Sequence, residues 1–199
     1  VINKISADES CAFRKKDIKA LSMAAAYGGK FLEAQLLKEQ KYTDQLTGLD
    51  NRRGFYRGYE NTMSQYADKS NSIIICDIDY FKKVNDTYGH ECGDMVLVTV
   101  SEMMKRYLKD KGICSRWGGE EFLLVYKCEP EDAEENLRQM MEELRHLTFT
   151  YEDYSFSVTM TFGLTQYKNG ESIDGLIKKA DDLLYRGKTE GRNRIVKEI

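Results

Sequence analysis

The residues of this chain best placed for chemistry are three carboxylates at the ends of short apolar runs. Asp77 closes NSIIICDID, and Glu120 and Glu121 sit within SRWGGEEFLLVY. Set side by side in a sheet, these acids repel one another, so something cationic must offset them. No lysine or arginine is interleaved with them. Oxygen ligands alone, with phosphate nearby, favour Mg²⁺ or Mn²⁺. Gly118 and Gly119 come just before the glutamates. A hairpin turn accounts for one glycine of the pair. Two residues without Cβ atoms also let the backbone come close to a ligand and adopt positive φ. Such a turn could receive a phosphate together with its metal. Acids that simply face solvent are the plainer reading, and it fits Asp77 alone better than it fits all three.

Cationic and polar groups lie elsewhere in the chain. The FKK stretch, residues 81–83, opens a predicted helix whose first N–H groups suit an anion. Lys188 and Arg192 stand four residues apart in YRGKTEGRNR, either as a solvated helix end or as phosphate partners. Asn85, His90 and Asp94 fall in NDTYGHECGD. An Asn and an Asp together can read a purine edge, and they can equally cap helices.

Positioning these groups takes both helices and strands. From Asp17, apolar residues at helical spacing predict a helix of roughly 25 residues, weakened in its middle by Gly28 and Gly29. Asn51 is placed to cap a helix over 52–66, and NSIIICDID reads as a buried strand. A helix follows at YFKKVNDTYG, is broken by HECGD, and gives way to another through Val96, Val100, Met103 and Tyr107. ICSRW and EFLLVY form a hairpin around the acidic turn, and Leu137 to Leu144 mark a helix. FTYEDYSFSVTMTFGLTQY supplies one or two strands, Ile173 to Leu184 a last helix, and RIVKEI a closing strand. VINKIS at the start reads as a short strand. The order predicts an α+β fold: a ferredoxin-like βααββαβ core, with an antiparallel-rich central sheet flanked by helices, and an N-terminal helical extension. Residues 1–42 form the extension and 43–199 the core domain.

The totals exclude several classes. A net charge of −3 gives no general attraction to nucleic acid or an anionic membrane, so a polyphosphate would need local cations and metal. Five cysteines without a C-x-x-C pair read as reduced thiols of a cytoplasmic protein. No apolar run approaches the ~20 residues of a membrane span, and VINKISADES is no signal peptide.

Four segments together, DQLTGLDNRRGF, DIDYFKKVNDTYGHECGD, RWGGEEF and ADDLLYRGKTEGRN, resemble the GGDEF domain of diguanylate cyclases over residues 43–199. That family joins two GTP molecules into cyclic di-GMP with loss of two pyrophosphates, on a fold resembling the palm of nucleotidyl cyclases and polymerases. The resemblance implies two Mg²⁺ (or Mn²⁺) ions per site, held by Asp77, Glu120 and the Ile78 carbonyl. It implies Glu120 as general base, with Glu121 sharing that work. Asn85 and Asp94 match the guanine-reading pair, with His90 beside them. Phe81 and Lys82 match the loop around the β- and γ-phosphates, Gly119 the approach to the α-phosphate, and Lys188 and Arg192 the phosphate-contacting cations. Asp44 and Arg53 match a structural and regulatory link to the preceding helix. Each domain would hold one GTP, so catalysis needs a homodimer. Where many members carry an R-x-x-D product-inhibition site, Lys109 and Gly112 replace its arginine and aspartate.

Residues 1–42 also resemble the last strand and helix of a GAF sensor domain; a plain linker or coiled-coil helix is the other reading. The chain is thus expected to be the output domain of a bacterial signalling protein, driven by an upstream sensor, without nucleic acid or direct membrane contact. The alternative is a catalytically weak GGDEF domain that binds GTP or cyclic di-GMP as a regulatory module. Intact Asp77, Glu120, Glu121, Lys188 and Arg192 favour the enzyme.

Overall fold

The structure, a computed structural model, describes residues 15–66, 71–167 and 170–198. The strand expected at VINKIS lies outside them. The chain divides into two units, residues 1–41 and residues 42–199. In the first, α1 (Lys15–Tyr42) runs unbroken through Gly28 and Gly29 and leaves Leu21, Met23, Tyr27 and Phe31 exposed. None of the described helices is long and apolar enough to cross a membrane.

The second unit is built on a six-stranded sheet. In chain order its elements are β1 (Asp50–Asn51), α2 (Arg52–Tyr66), β2 (Ser72–Ile78), α3 (Phe81–Tyr88), α4 (His90–Leu108), β3 (Gly112–Arg116) and β4 (Glu121–Tyr126). There follow α5 (Pro130–His146), β5 (Phe149–Tyr151), β6 (Tyr154–Phe156), β7 (Met160–Gln166), α6 (Ile173–Thr189) and β8 (Ile195–Glu198). The strand order is β1-β3-β4-β2-β7-β8, with β2 antiparallel to both β4 and β7. Only the edge pairs β1–β3 and β7–β8 are parallel. This is the expected palm-like α+β layout.

Local chemistry accounts for most boundaries. Asn51 Oδ1 accepts from the amides of Arg53 (2.9 Å) and Gly54 (3.1 Å), the cap the sequence predicts for α2. HECGD, expected to break the chain, instead forms the first turn of α4. The break is confined to Gly89, at φ 87°, and Glu91 in the first turn complements the helix dipole. The aromatic-rich segment after α5 makes three strands. Glu152, at φ 50°, turns β5 back on β6 in a separate hairpin before β7 joins the main sheet. The two-residue β1 carries no periodic signal and was not anticipated.

All seven residues of β2 are buried, because both faces of the sheet are covered. Ile74, Cys76 and Ile78 belong to the larger core with α4 and α5, whereas Ile73 and Ile75 pack with Phe55 of α2 and Leu176, Ala180 and Leu184 of α6. The α6 layer sits unusually close to the sheet. A Cβ built on Gly163 of β7 would lie 2.0 Å from the Ala180 carbonyl oxygen and 2.5 Å from the Leu184 nitrogen. At Gly187 of α6, a Cβ would come 2.7 Å from Thr161 Cγ2. These glycines are therefore contact points between α6 and the sheet.

One core residue is polar without reward. Tyr126 is fully buried beside Cys76, Cys114 and Cys128, and its hydroxyl has no hydrogen-bond partner among the described residues. An unmade buried bond costs about 1–3 kcal/mol. Tyr126→Phe is therefore expected to raise stability by about 1 kcal/mol in urea unfolding. A loss of that size instead would mean that the hydroxyl is satisfied in solution.

Candidate functional site

The site is assembled where β2 ends against the β3–β4 turn. Antiparallel pairing sets Asp77 directly across from Glu121, and the Ile78 amide donates to the Glu120 carbonyl at 3.3 Å. The three acids therefore do meet at one edge. The cation missing from their neighbourhood in sequence comes from α6: Lys188 Nζ lies 2.8 Å from Asp77 Oδ2. Asp77 is only 5% exposed. Burial pushes its carboxyl up to about 6, against the pull of Lys188 and with the added repulsion of Glu120 and Glu121.

A pH dependence of stability follows. The folded chain holds the Asp77 proton more tightly than the unfolded chain, whose ordinary value is 3.8. The contribution is fully present below 3.8 and is lost as pH rises through about 6. Relative to Asp77→Asn, which cannot titrate, the unmodified protein is expected to lose stability between about pH 4 and pH 7. Denaturant unfolding of both proteins across that range measures the difference; a constant difference would contradict the shift.

The turn itself is held by its neighbours. The amides of Trp117 and Gly118 donate to the Glu121 carbonyl at 2.8 and 3.2 Å. Neither Gly118 nor Gly119 has a positive φ, so left-handed backbone is not why they are glycines. A Cβ at Gly118 would fall 2.7 Å from Glu121 Oε2, while one at Gly119 would meet no atom within 4 Å. The chain's own packing therefore makes no demand at Gly119; the space over it is open. Arg116 donates to the Gly119 carbonyl through Nε (3.1 Å) and Nη2 (2.7 Å). Its Nη1 pairs with both oxygens of Asp44 at 3.0 and 3.1 Å. Burial pushes the Asp44 carboxyl up, yet bonds from Thr47 and Arg116 hold it below its ordinary value overall. Arg53 opens α2 with an exposed side chain, and the cation that meets Asp44 is Arg116, which the sequence reading did not single out.

Asp79 is the second residue that reading passed over. The buried carboxylate accepts from Thr159 Oγ1 and Thr161 Oγ1, both at 2.6 Å, and from the Asn193 amide at 3.0 Å. It thereby ties the end of β2 to β7 and to the loop after α6. In that loop Arg192 and Asn193 are both left-handed, at φ 60° and 48°, a conformation costly for residues with a Cβ. The anchored loop carries the Arg192 guanidinium 4.6 Å above the ring of Tyr80, itself at φ 58° before α3. A D-x-D pair at a strand end was the available signal, since alternate residues share a face.

The remaining predicted residues gather on α3 and α4. Phe81 is buried, Lys82 is exposed beside it at the start of α3, and Tyr80 offers no side-chain cap there. Asn85 lies over Gly93, where a Cβ would come 1.9 Å from its Oδ1, so the amide sits next to the residue preceding Asp94. His90 is exposed at the first position of α4. Lys109 and Gly112 lie apart from these groups, before β3. A Cβ at Gly112 would fall 1.8 Å from the Val125 carbonyl oxygen, which leaves no room for an aspartate. Among the described residues, no three His, Cys, Asp or Glu side chains form a metal site by themselves.

A family model described as the diguanylate cyclase GGDEF domain matches residues 41–194. Diguanylate cyclase DgcM of Escherichia coli (strain K12) is 35% identical over 173 residues, covering 84% of this chain and 40% of DgcM. Diguanylate cyclase VdcA of Vibrio cholerae serotype O1 is 37% identical over 174 residues, covering 83% of this chain and 50% of VdcA. The chain thus spans half the length of these relatives or less. Among solved structures, diguanylate cyclase SiaD of Pseudomonas aeruginosa, determined with its activator SiaC, is 34% identical with a TM-score of 0.74, over 92% of this chain and 74% of that one. The coiled coil and GGDEF domain of DgcB from Caulobacter crescentus, in complex with c-di-GMP, shares the fold at a TM-score of 0.85 and 24% identity, over 93% of this chain and all of that one.

Proposed function

Since this chain belongs to the diguanylate cyclase GGDEF domain family, we propose that it condenses two GTP molecules into cyclic di-GMP and two pyrophosphates. The observation that carries this reading is Asp77: a buried carboxylate beside Glu120 and Glu121, with a cation already drawn to it. Such a donor set of hard oxygens fits Mg²⁺ or Mn²⁺. Asp77, Glu120 and the Ile78 carbonyl would hold the ions, two per site, with substrate phosphate oxygens completing a set too small to stand alone. Bound there, the ions would neutralise triphosphate charge and acidify the ribose 3′-hydroxyl.

The protein's share is mostly positioning. Amides at the start of α3, near Phe81 and Lys82, cradle the terminal phosphates at a helix N-terminus. Lys188 and Arg192 add charge from the other side. Asn85 and Asp94, with His90 close by, read the guanine edge, the aspartate accepting from its N–H groups. Open space over Gly119 admits the α-phosphate, and Glu120 takes the 3′-hydroxyl proton, Glu121 assisting. One domain carries a nucleophile and an electrophile that cannot reach each other, so two copies must meet face to face. The segment 1–42, with Asp44 and Arg53, passes on the state of an upstream sensor, in a cytoplasmic setting. With a lysine at 109 and no space for a carboxylate at 112, added cyclic di-GMP is expected to inhibit little through that position.

Incubation with GTP and Mg²⁺ across a tenfold range of protein concentration tests the proposal. Cyclic di-GMP whose specific rate climbs with concentration is the expected result. GTP binding without product at the highest concentration would favour a regulatory binding module.

A further inference from the structure

Lys188 lies in the last turn of α6, yet its ammonium points away from solvent to Asp77, at 2.8 Å. The backbone on either side of it is fixed. Upstream, Gly187 is pressed against Thr161; downstream, the loop is held by Asp79 through the Asn193 amide. The lysine side chain is the mobile part, a point charge on a flexible stem with three donors, 29% exposed and so able to swing outward. Asp77 is the opposite, a short, buried carboxylate on a strand paired on both sides. A divalent ion on that carboxylate and an ammonium on the same carboxylate repel each other, so each weakens the hold of the other.

We propose that Lys188 is an exchangeable counter-ion. It occupies Asp77 while the metal is absent, is expelled by the incoming metal, and is then free to pair with the polyphosphate that accompanies the ion. The lysine thus keeps the buried acid neutralised and holds down metal binding in the nucleotide-free protein. It also couples the two ligands: metal releases the cation that the anion needs, and by reciprocity the anion favours the metal-bound state. This extends the reading of the site as a metal–nucleotide site, and it assigns Lys188 a role before any substrate arrives.

The test is Mn²⁺ affinity without nucleotide, by calorimetry or by the paramagnetic signal of free Mn²⁺, at a pH of about 8 where carboxylates are ionised. Lys188→Met should bind Mn²⁺ about three- to tenfold more tightly than the unmodified protein, the scale of a partly exposed ion pair. Lys188→Arg, which keeps the charge, should show no such gain. Lys178→Met removes an equal charge ten positions earlier in α6 and serves as the control for the general field. In an Asp77→Asn background the gain from Lys188→Met should vanish. Unchanged or weaker Mn²⁺ binding in folded Lys188→Met would overturn the proposal, as would an equal gain in Lys178→Met. Lys188→Gln carries the same test if the methionine variant fails to fold. Neither GTP nor product enters these measurements, so a protein that shows the exchange but makes no cyclic di-GMP would refute the activity and leave the exchange standing.

Discussion

Glu120→Gln is expected to lower cyclic di-GMP formation by about 10²- to 10³-fold or more, while leaving the fold unaltered. The size follows from the two tasks proposed for one carboxylate, metal ligation and acceptance of the 3′-hydroxyl proton, both of which an amide performs poorly. The fold should survive because the turn is held by other atoms. Backbone carbonyls of Gly119, Glu120 and Glu121 take the bonds from Arg116, Ile78, Trp117 and Gly118. Product assayed by chromatography at matched protein concentration gives the rate, and thermal unfolding checks the fold. Full activity in a folded variant would remove Glu120 from both roles.

A large structural effect is expected at Gly163. Gly163→Ala puts a methyl group 2.0 Å from one backbone atom of α6 and 2.5 Å from another. Neither is the movable end of a side chain, so the helix must lift off the sheet. Overpacking of this kind costs about 3 kcal/mol, and the loss of contacts along α6 adds to it. The expected outcome is a shift of that order in denaturant unfolding, with Lys188 drawn away from Asp77. A near-neutral substitution would mean that α6 is not held at the distance described.

Local signals made most of the fold legible. Asn51 before α2, the unbroken apolar run of β2 and the helical spacing in α5 each act over a few residues, and each predicted its element. HECGD misled because its Gly93, following closely on Gly89, looks like a stop. Only Gly89 is one, and Gly93 is inside a helix because Asn85 and Phe81 occupy the place of its side chain. The three clustered acids were legible too, since strand end and turn announce them. Their supports were not. Arg116 meets Asp44 across 72 positions, and Asp79 meets Thr159, Thr161 and Asn193 across 80, 82 and 114. Such pairings depend on the sheet order, which no spacing in the chain reveals.

The outer strands of the sheet bear on how two copies can associate. On one side β1 is only two residues long; on the other β8 has four and carries Lys197, paired with Glu134, and Glu198. Short, charged margins of this kind resist the addition of a further strand from another molecule. Growth of the sheet from copy to copy, the usual route to fibrous aggregates, is thereby discouraged at both ends. Association is left to surfaces away from the sheet margins, such as helices, turns and loops.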